Sequence, residues 1–401
     1  MDHSDAEHRR VLEAIDKLKE SEARDELGLG GLRDAFADLL FPGTSTIQTR
    51  ARYFLFIPWI YRELEKKRTS ARDIAHVARR AELAVASGLK ATEPDAWGII
   101  GTRAGDSVKR LPSSVYWLGL ATWKIRLFDG PISSYHRAFD RVAAREVLRD
   151  DDREPLDRAR PAWDPALPSP PTGFPKETTF DLRPEEADYL VDRIRRSRHD
   201  SLLALLVQAS STPECDLIWQ HPGRSSWRPE LQTIVEHARL LAETMHGAAW
   251  LYNVMLAEAR ARNDNAEHRK AIDDYRRELA KWASELKARN AAIDAWDRNA
   301  FWALIRSRTV VPQLTKEFVE SWLGLRAWEH PDGGADLKAA RQLIATRERQ
   351  LKGSRARLSN LRALELWRGA SGTSRLDFRW RSAQRILSDI HAARTTRVAH
   401  A

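Results

Sequence analysis

Arginines are the residues in this sequence best suited to hold another molecule. Arg355, Arg357, Arg375, Arg379 and Arg381 crowd one stretch near its end. A guanidinium is a planar fork of donors that matches phosphate or carboxylate, and it stays charged at ordinary pH. These five are expected to contact nucleic-acid phosphates. Trp367 and Trp380 lie among them and could stack on bases, although both also fit core packing. A second set lies at two expected helix entries. Thr44, Ser45 and Thr46 lead toward Arg50 and Arg52, while Lys109 and Arg110 precede Pro112-Ser113-Ser114. Hydroxyls and unpaired N–H groups at a helix start, with Arg nearby, form a candidate anion site. The competing reading is ordinary capping with internal ion pairs, in which Asp34 and Asp38 would pair with Arg50 or Arg52.

No catalytic set assembles from the other reactive residues. Glu243-Thr244-Met245-His246 puts a carboxylate and an imidazole on one helical face, but a di-iron bundle needs the motif twice and two more Glu. His199-Asp200 lacks the further ligands that a metal-dependent phosphohydrolase requires. The lone Cys215 sits between acids that oppose a thiolate. There is no Walker loop, no GxSxG and no HExxH; Gly28-Leu29-Gly30-Gly31 lacks the preceding strand of a dinucleotide site and reads as a turn. No metal, no cofactor and no catalytic residue is expected. An enzyme acting on phosphate esters through Asp34, Asp38, Arg50 and Arg52 is the weakest of the readings left open.

Charge sets where the arginines matter. From Lys338 onward the chain carries fifteen Lys and Arg against four acids, a net +11, whereas everything before it sums to −2. A concentrated basic segment attracts polyanions through counterion release and steering, but charge alone does not separate DNA or RNA from an acidic protein. One cysteine in 401 residues rules out an internal disulfide and fits a reducing cytosol. The first 25 residues are charged throughout and no apolar run reaches membrane-spanning length, so a cytoplasmic protein with no membrane contact is expected.

The elements that must position these residues read as helices. Ala, Leu, Arg and Glu dominate, and period-two runs are scarce, so the fold class is all-α or nearly so. Four segments are expected. Residues 1–150 form an N-terminal helical domain. It begins with a helix through Val11, Leu12, Ile15 and Leu18. It also contains a helix running from the Thr44–Thr46 entry toward Lys67, buried on all sides and kinked or restarted at Pro58. Residues 151–178 hold a seven-proline cluster and read as a linker. Residues 179–334 carry two stripes: Ile234, Ala238, Leu241, Met245, Ala248, Tyr252 and Met255, then Ile272, Tyr275, Leu279, Trp282 and Leu286. Separated by Arg262-Asn263-Asp264-Asn265, they predict a long antiparallel hairpin. Residues 335–401 are the basic helical segment, whose last stripe, Trp380, Ala383, Leu387 and Ile390, should dock on the body.

One long stretch carries a family resemblance. Residues 29–54, LGGLRDAFADLLFPGTSTIQTRARYF, resemble the hallmark of a bacterial family catalogued as domain of unknown function 6361. Arg110-Leu111-Pro112-Ser113-Ser114-Val115-Tyr116-Trp117 and the tail through Arg357-Leu358-Ser359-Asn360, Leu366-Trp367, Gly372 and Leu376-Asp377-Phe378-Arg379-Trp380 resemble its other signatures. The resemblance covers nearly the whole chain and implies no reaction or ligand. It implies a setting near helicase and nuclease genes in antiphage islands. That makes an accessory defence or DNA-transaction protein, with a helicase or nuclease as partner, the expected role. A protein–protein scaffold without nucleic-acid contact is the alternative.

Overall fold

The run Tyr53-Phe54-Leu55-Phe56-Ile57-Pro58-Trp59-Ile60-Tyr61 has no polar side to turn toward water, and every one of its residues is buried. It forms the front of the Tyr53–Lys66 helix, which continues through Pro58 without restarting. Large side chains contribute about 1.5–3 kcal/mol each when fully buried, so this helix is a centre of its surroundings. A computed structural model describes residues 26–101, 110–145, 161–261, 266–330 and 334–399. Among them every regular element is a helix, and the only β pairing is an isolated antiparallel bridge between Arg126 and Trp163. The all-α class expected from composition is therefore observed. No helix of the described residues is long and apolar enough to cross a membrane. The expected first helix, through Val11 and Leu18, lies outside the described residues.

The chain divides into two compact units, each assembled from two separate stretches of the sequence. Unit 1 takes the chain up to Phe36 together with Gln232–Phe378; unit 2 takes Ala37–Leu231 together with Arg379–Ala401. The basic segment is thus shared out, with residues 335–378 in the first unit and 379–401 in the second.

In unit 2 the Tyr53–Lys66 helix packs on the Ile74–Thr92 and Pro112–Thr122 helices. Trp123 stacks on Phe54 at 3.9 Å between ring centres. Its indole N–H donates to the Pro42 carbonyl (2.8 Å). The turn at Phe41-Pro42-Gly43 accommodates that contact. Gly43 has φ +86°, and a Cβ there would lie 2.4 Å from the Trp123 ring nitrogen. The Trp380–Ala399 helix docks as expected. Trp380, Ala383, Leu387 and Ile390 have no exposure, and the helix lies on Pro184–Ser197. The proline-rich stretch differs from its expected reading. Residues 151–160 are outside the described residues, but from Pro161 onward it is packed. Trp163 and Leu167 are buried, and Asp164 is bonded to Tyr189 (3.0 Å) and Arg193 (2.6 Å). Its prolines deny it helix without making it a free tether.

In unit 1 the two striped helices are Pro229–Arg260 and Ala266–Lys287. Residues 262–265 between them are outside the described set. Hydrogen bonds join Glu258 to Arg276 (2.8 Å) and the Glu243 carbonyl to Trp282 Nε1 (2.7 Å), an order that runs opposite ways along the two helices. The Ala335–Lys352 helix packs on Gln313–Leu325 and closes the unit.

Candidate functional site

The five arginines expected to hold phosphates fall into different circumstances. Arg355 ends a short 3-10 turn, Gly353–Arg355, and is exposed with no partner among the described residues. Arg357 is spoken for. Its Nη1 donates to Glu26 Oε1 and to Ser371 Oγ, both at 2.9 Å. Arg375 pairs with Glu285 at 3.0 Å. In unit 2, Arg379 reaches Asp38 at 2.6 Å and the Thr44 carbonyl at 3.0 Å. Arg381 is exposed. Three of the five guanidiniums are therefore met by acids that lie far from them in sequence, and the set is split between the two units.

Other basic residues of the segment are also engaged internally. Arg347 is buried and donates to the Leu27 carbonyl (2.9 Å) and Thr315 Oγ1 (2.8 Å). Lys352 is bonded to Glu26 and Glu348, and Arg341 to Glu258. Glu348 organises this corner of unit 1. Burial raises its pKa. Bonds from Tyr252 and the Leu358 and Arg357 N–H groups, with the Lys352 charge, outweigh that and hold it below its ordinary value. Exposed cations remain: Lys338, Arg349, Arg355 and Arg362 face solvent with no acidic partner among the described residues. Lys338 and Arg349 are eleven residues apart on one helix, about three turns, and share a face.

The N-terminal anion site is occupied by the protein's own carboxylates. Thr44, Ser45 and Thr46 do not start a helix; the helix begins nine residues after Thr44, at Tyr53. Thr44 Oγ1 donates back to the Phe41 carbonyl (2.7 Å), and the Ser45 N–H goes to Gln48 Oε1 (3.1 Å). The Thr49 and Arg50 N–H groups donate to the Tyr116 hydroxyl (2.8 and 3.1 Å), and the Ala51 N–H to Asp389 (2.8 Å). The donors of residues 49–51 that a helix would use are thus drawn off by side chains distant in sequence, so tertiary contact overrides the local signal. Arg50 grips Asp389 at 2.9 Å, and burial lifts that carboxyl above its ordinary range although Arg50 and the Ala51 N–H oppose the shift. Arg52 makes a two-pronged contact with Glu186, 3.0 Å on each arm, with both side chains buried. Asp34 and Asp38 are not the partners: Asp34 pairs with Arg33 (3.1 Å) and Asp38 with Arg379. At the Pro112–Thr122 entry, Ser113 N–H and Oγ both donate to Glu82 at 2.7 Å, so that helix end is capped by an internal carboxyl group. Arg110 is exposed, and Lys109 lies outside the described residues.

The model of the family of unknown function DUF6361 matches residues 1–394. The chain belongs to this family. The match spans both units and all three stretches that resemble it, including the Phe41–Thr44 turn and the Arg357–Trp380 tail. No curated protein and no solved structure matches the chain.

Within this DUF6361 chain, one cleft gathers residues that the sequence did not join. It has a volume of about 110 Å³ in unit 1, lined by Glu26, Met245, His246, Tyr252, Ser371 and Arg375 among others. His246 Nε2 lies 2.8 Å from the Thr373 carbonyl, which can only accept, so Nε2 carries the proton and Nδ1 is a bare acceptor. That Nδ1 is buried with no hydrogen-bond partner among the described residues. Burial pushes the ring pKa down to about 4, with nearby Arg375 adding to the shift and the Thr373 bond opposing it. Glu243 does not join it: its oxygens are held by Arg239 (2.7 Å) and Arg289 (3.1 Å). Glu-x-x-His therefore divides into an ion pair and a neutral imidazole. The motif was visible in sequence; Thr373, which orients the ring, carried no signal.

Proposed function

We propose that this chain is an accessory nucleic-acid-contacting protein whose contact surface is the unpaired part of the basic segment: Lys338, Arg349, Arg355 and Arg362 of unit 1. The observation that carries the reading is that these four cations remain exposed and without acidic partners among the described residues, in a segment whose other bases are largely paired internally. Exposed guanidinium and ammonium groups bind phosphate without first breaking an existing ion pair, which Arg357, Arg375 and Arg379 would have to do. A bacterial defence or DNA-transaction setting, with a helicase or nuclease partner, is part of the same proposal.

The test is anisotropy of labelled single-stranded DNA, duplex DNA and RNA with the full chain across a salt series. Affinity should fall steeply with salt. A K338E/R349E/R355E/R362E variant should reduce the log–log slope by about 0.7–0.9 for each phosphate it no longer neutralises. A slope unchanged by the four reversals sinks the proposal. A specific observation favours a second reading, a protein scaffold. Leu361 and Leu366 flank Arg362 at 63% and 79% exposure, a mixture suited to an acidic, partly apolar protein partner. L361S/L366S abolishing a partner complex that resists nuclease and high salt would favour that reading.

A further inference from the structure

A second cleft in unit 1 is built from hydrogen-bond donors. It has a volume of about 290 Å³ and is lined by Ala257, Arg260, Ala271, Tyr275, Trp367 and Arg368, with Gly369. Trp367 is 5% exposed, and its indole Nε1 is buried with no acceptor among the described residues. An indole N–H can only donate, and leaving one unpaired in the interior is costly, so native structures seldom tolerate it without a reason. The Tyr275 hydroxyl accepts a bond from the Ala370 N–H (3.1 Å). That oxygen still has its own proton to give. Arg260 donates one Nη1 bond to the Trp367 backbone carbonyl (2.9 Å), which ties the guanidinium to the same residue and leaves most of its five donors without a partner among the described residues. Among the described residues, no Asp or Glu lines the cleft. The Tyr275 and Trp367 rings, 6.0 Å between centres, give the cleft an apolar wall.

We propose that this cleft binds a small oxyanion, the phosphate or carboxylate group of a compact ligand. Trp367 Nε1–H, the Tyr275 hydroxyl and the Arg260 guanidinium would be the donors. The chemistry is one-sided: indole and guanidinium supply only donors, and the excess is cationic. An oxyanion answers all three at once, and the charged acceptor strengthens each bond relative to a neutral one. The volume is far more than the roughly 30 Å³ of a water molecule and near the lower end of ligand clefts, about 300 Å³, so the anion can carry a small organic body against the two rings. The site does not depend on the surface cations proposed above.

The experiment is a ¹H–¹⁵N correlation spectrum of the full chain labelled at tryptophan, titrated with sodium phosphate and, separately, sodium acetate at constant ionic strength set by chloride. One indole N–H resonance, missing in W367F, is expected to move downfield and saturate. The salt that saturates it at the lower concentration identifies the phosphate or carboxylate source. R260Q should weaken that saturation about ten-fold, the loss of one charge-assisted bond, and Y275F should weaken it less. The proposal is overturned if neither salt moves the resonance beyond what chloride does, or if R260Q leaves the midpoint unchanged. Should W367F fail to fold, R260Q and Y275F still decide, because the resonance that their spectra retain is followed directly. K338E/R349E should leave the midpoint where it is, which separates this site from the nucleic-acid surface.

Discussion

At the scale of single residues, buried charge makes the sharpest predictions. Glu82 is 2% exposed. Burial lifts its carboxyl from 4.5 to about 7, against the two bonds from Ser113 and the Arg79 charge. The folded chain therefore holds this proton more tightly than the unfolded chain. The resulting stabilisation is complete below about pH 4.5 and is lost as pH rises through 7. E82Q should lack that decline, so its stability relative to the parent should rise by roughly 2–3 kcal/mol from pH 5 to pH 8. Urea melts at the two pH values check it, and parallel pH profiles would contradict it. His246 carries the opposite sign. With its pKa depressed from 6.5 to about 4, it favours folding above pH 6.5 and loses that contribution as pH falls through 4. Arg52 and Glu186, at 5% and 0% side-chain exposure, form a buried pair, and Arg183 Nε also reaches Glu186 at 2.6 Å, so the carboxylate keeps a partner when Arg52 is removed. R52M should therefore cost less than the ~3–5 kcal/mol of a fully stranded buried charge in the same assay. R357E would face Glu26 and is expected to lower stability more than it lowers nucleic-acid affinity. The converse would place Arg357 back in the binding surface.

At the scale of elements, packing decides what helical pattern alone leaves open. Gly247 lies inside the Pro229–Arg260 helix, and a Cβ there would meet the Trp282 ring of the Ala266–Lys287 helix at 2.1 Å. Alanine is the better helix former by about 1 kcal/mol. Overpacking against an indole costs about 1–3 kcal/mol, occasionally more. G247A should therefore lower the melting temperature; a rise would mean that the two helices do not approach this closely. The stripes at Met245 and Trp282 were legible because helical spacing repeats through both. The start of the Tyr53–Lys66 helix was not. Thr44-Ser45-Thr46 has the composition of a cap, but Tyr116 and Asp389 take backbone donors from residues 49–51, and neither is marked by local pattern.

At the scale of the molecule, both units draw on the C-terminal segment. Residues 335–378 supply unit 1 with buried Ile344, Glu348 and Trp367, while 379–401 supply unit 2 with buried Trp380, Leu387 and Ile390. A chain ending at Gly334 should therefore lose native structure in both units, and its failure to bind DNA would say nothing about phosphate contacts. Ending the chain at Phe378 should separate the two. Amide exchange is expected to speed up in the Pro184–Ser197 helix, on which Trp380–Ala399 docks, and to stay slow in Ala335–Lys352. Equal loss of protection in both helices would argue that the units fold only together.

The sequence by itself determined the helical class, the all-round burial of Tyr53–Tyr61, the docking stripe through Leu387 and the concentration of positive charge after Lys338. Each is a short-range periodicity or a sum, and neither needs to know which distant residues meet. Only the tertiary structure decided which arginines are still available. Glu26 reaches Arg357, Asp38 reaches Arg379 and Asp389 reaches Arg50 across more than three hundred residues of chain. An ion pair depends on spatial separation alone, which leaves no trace in local spacing.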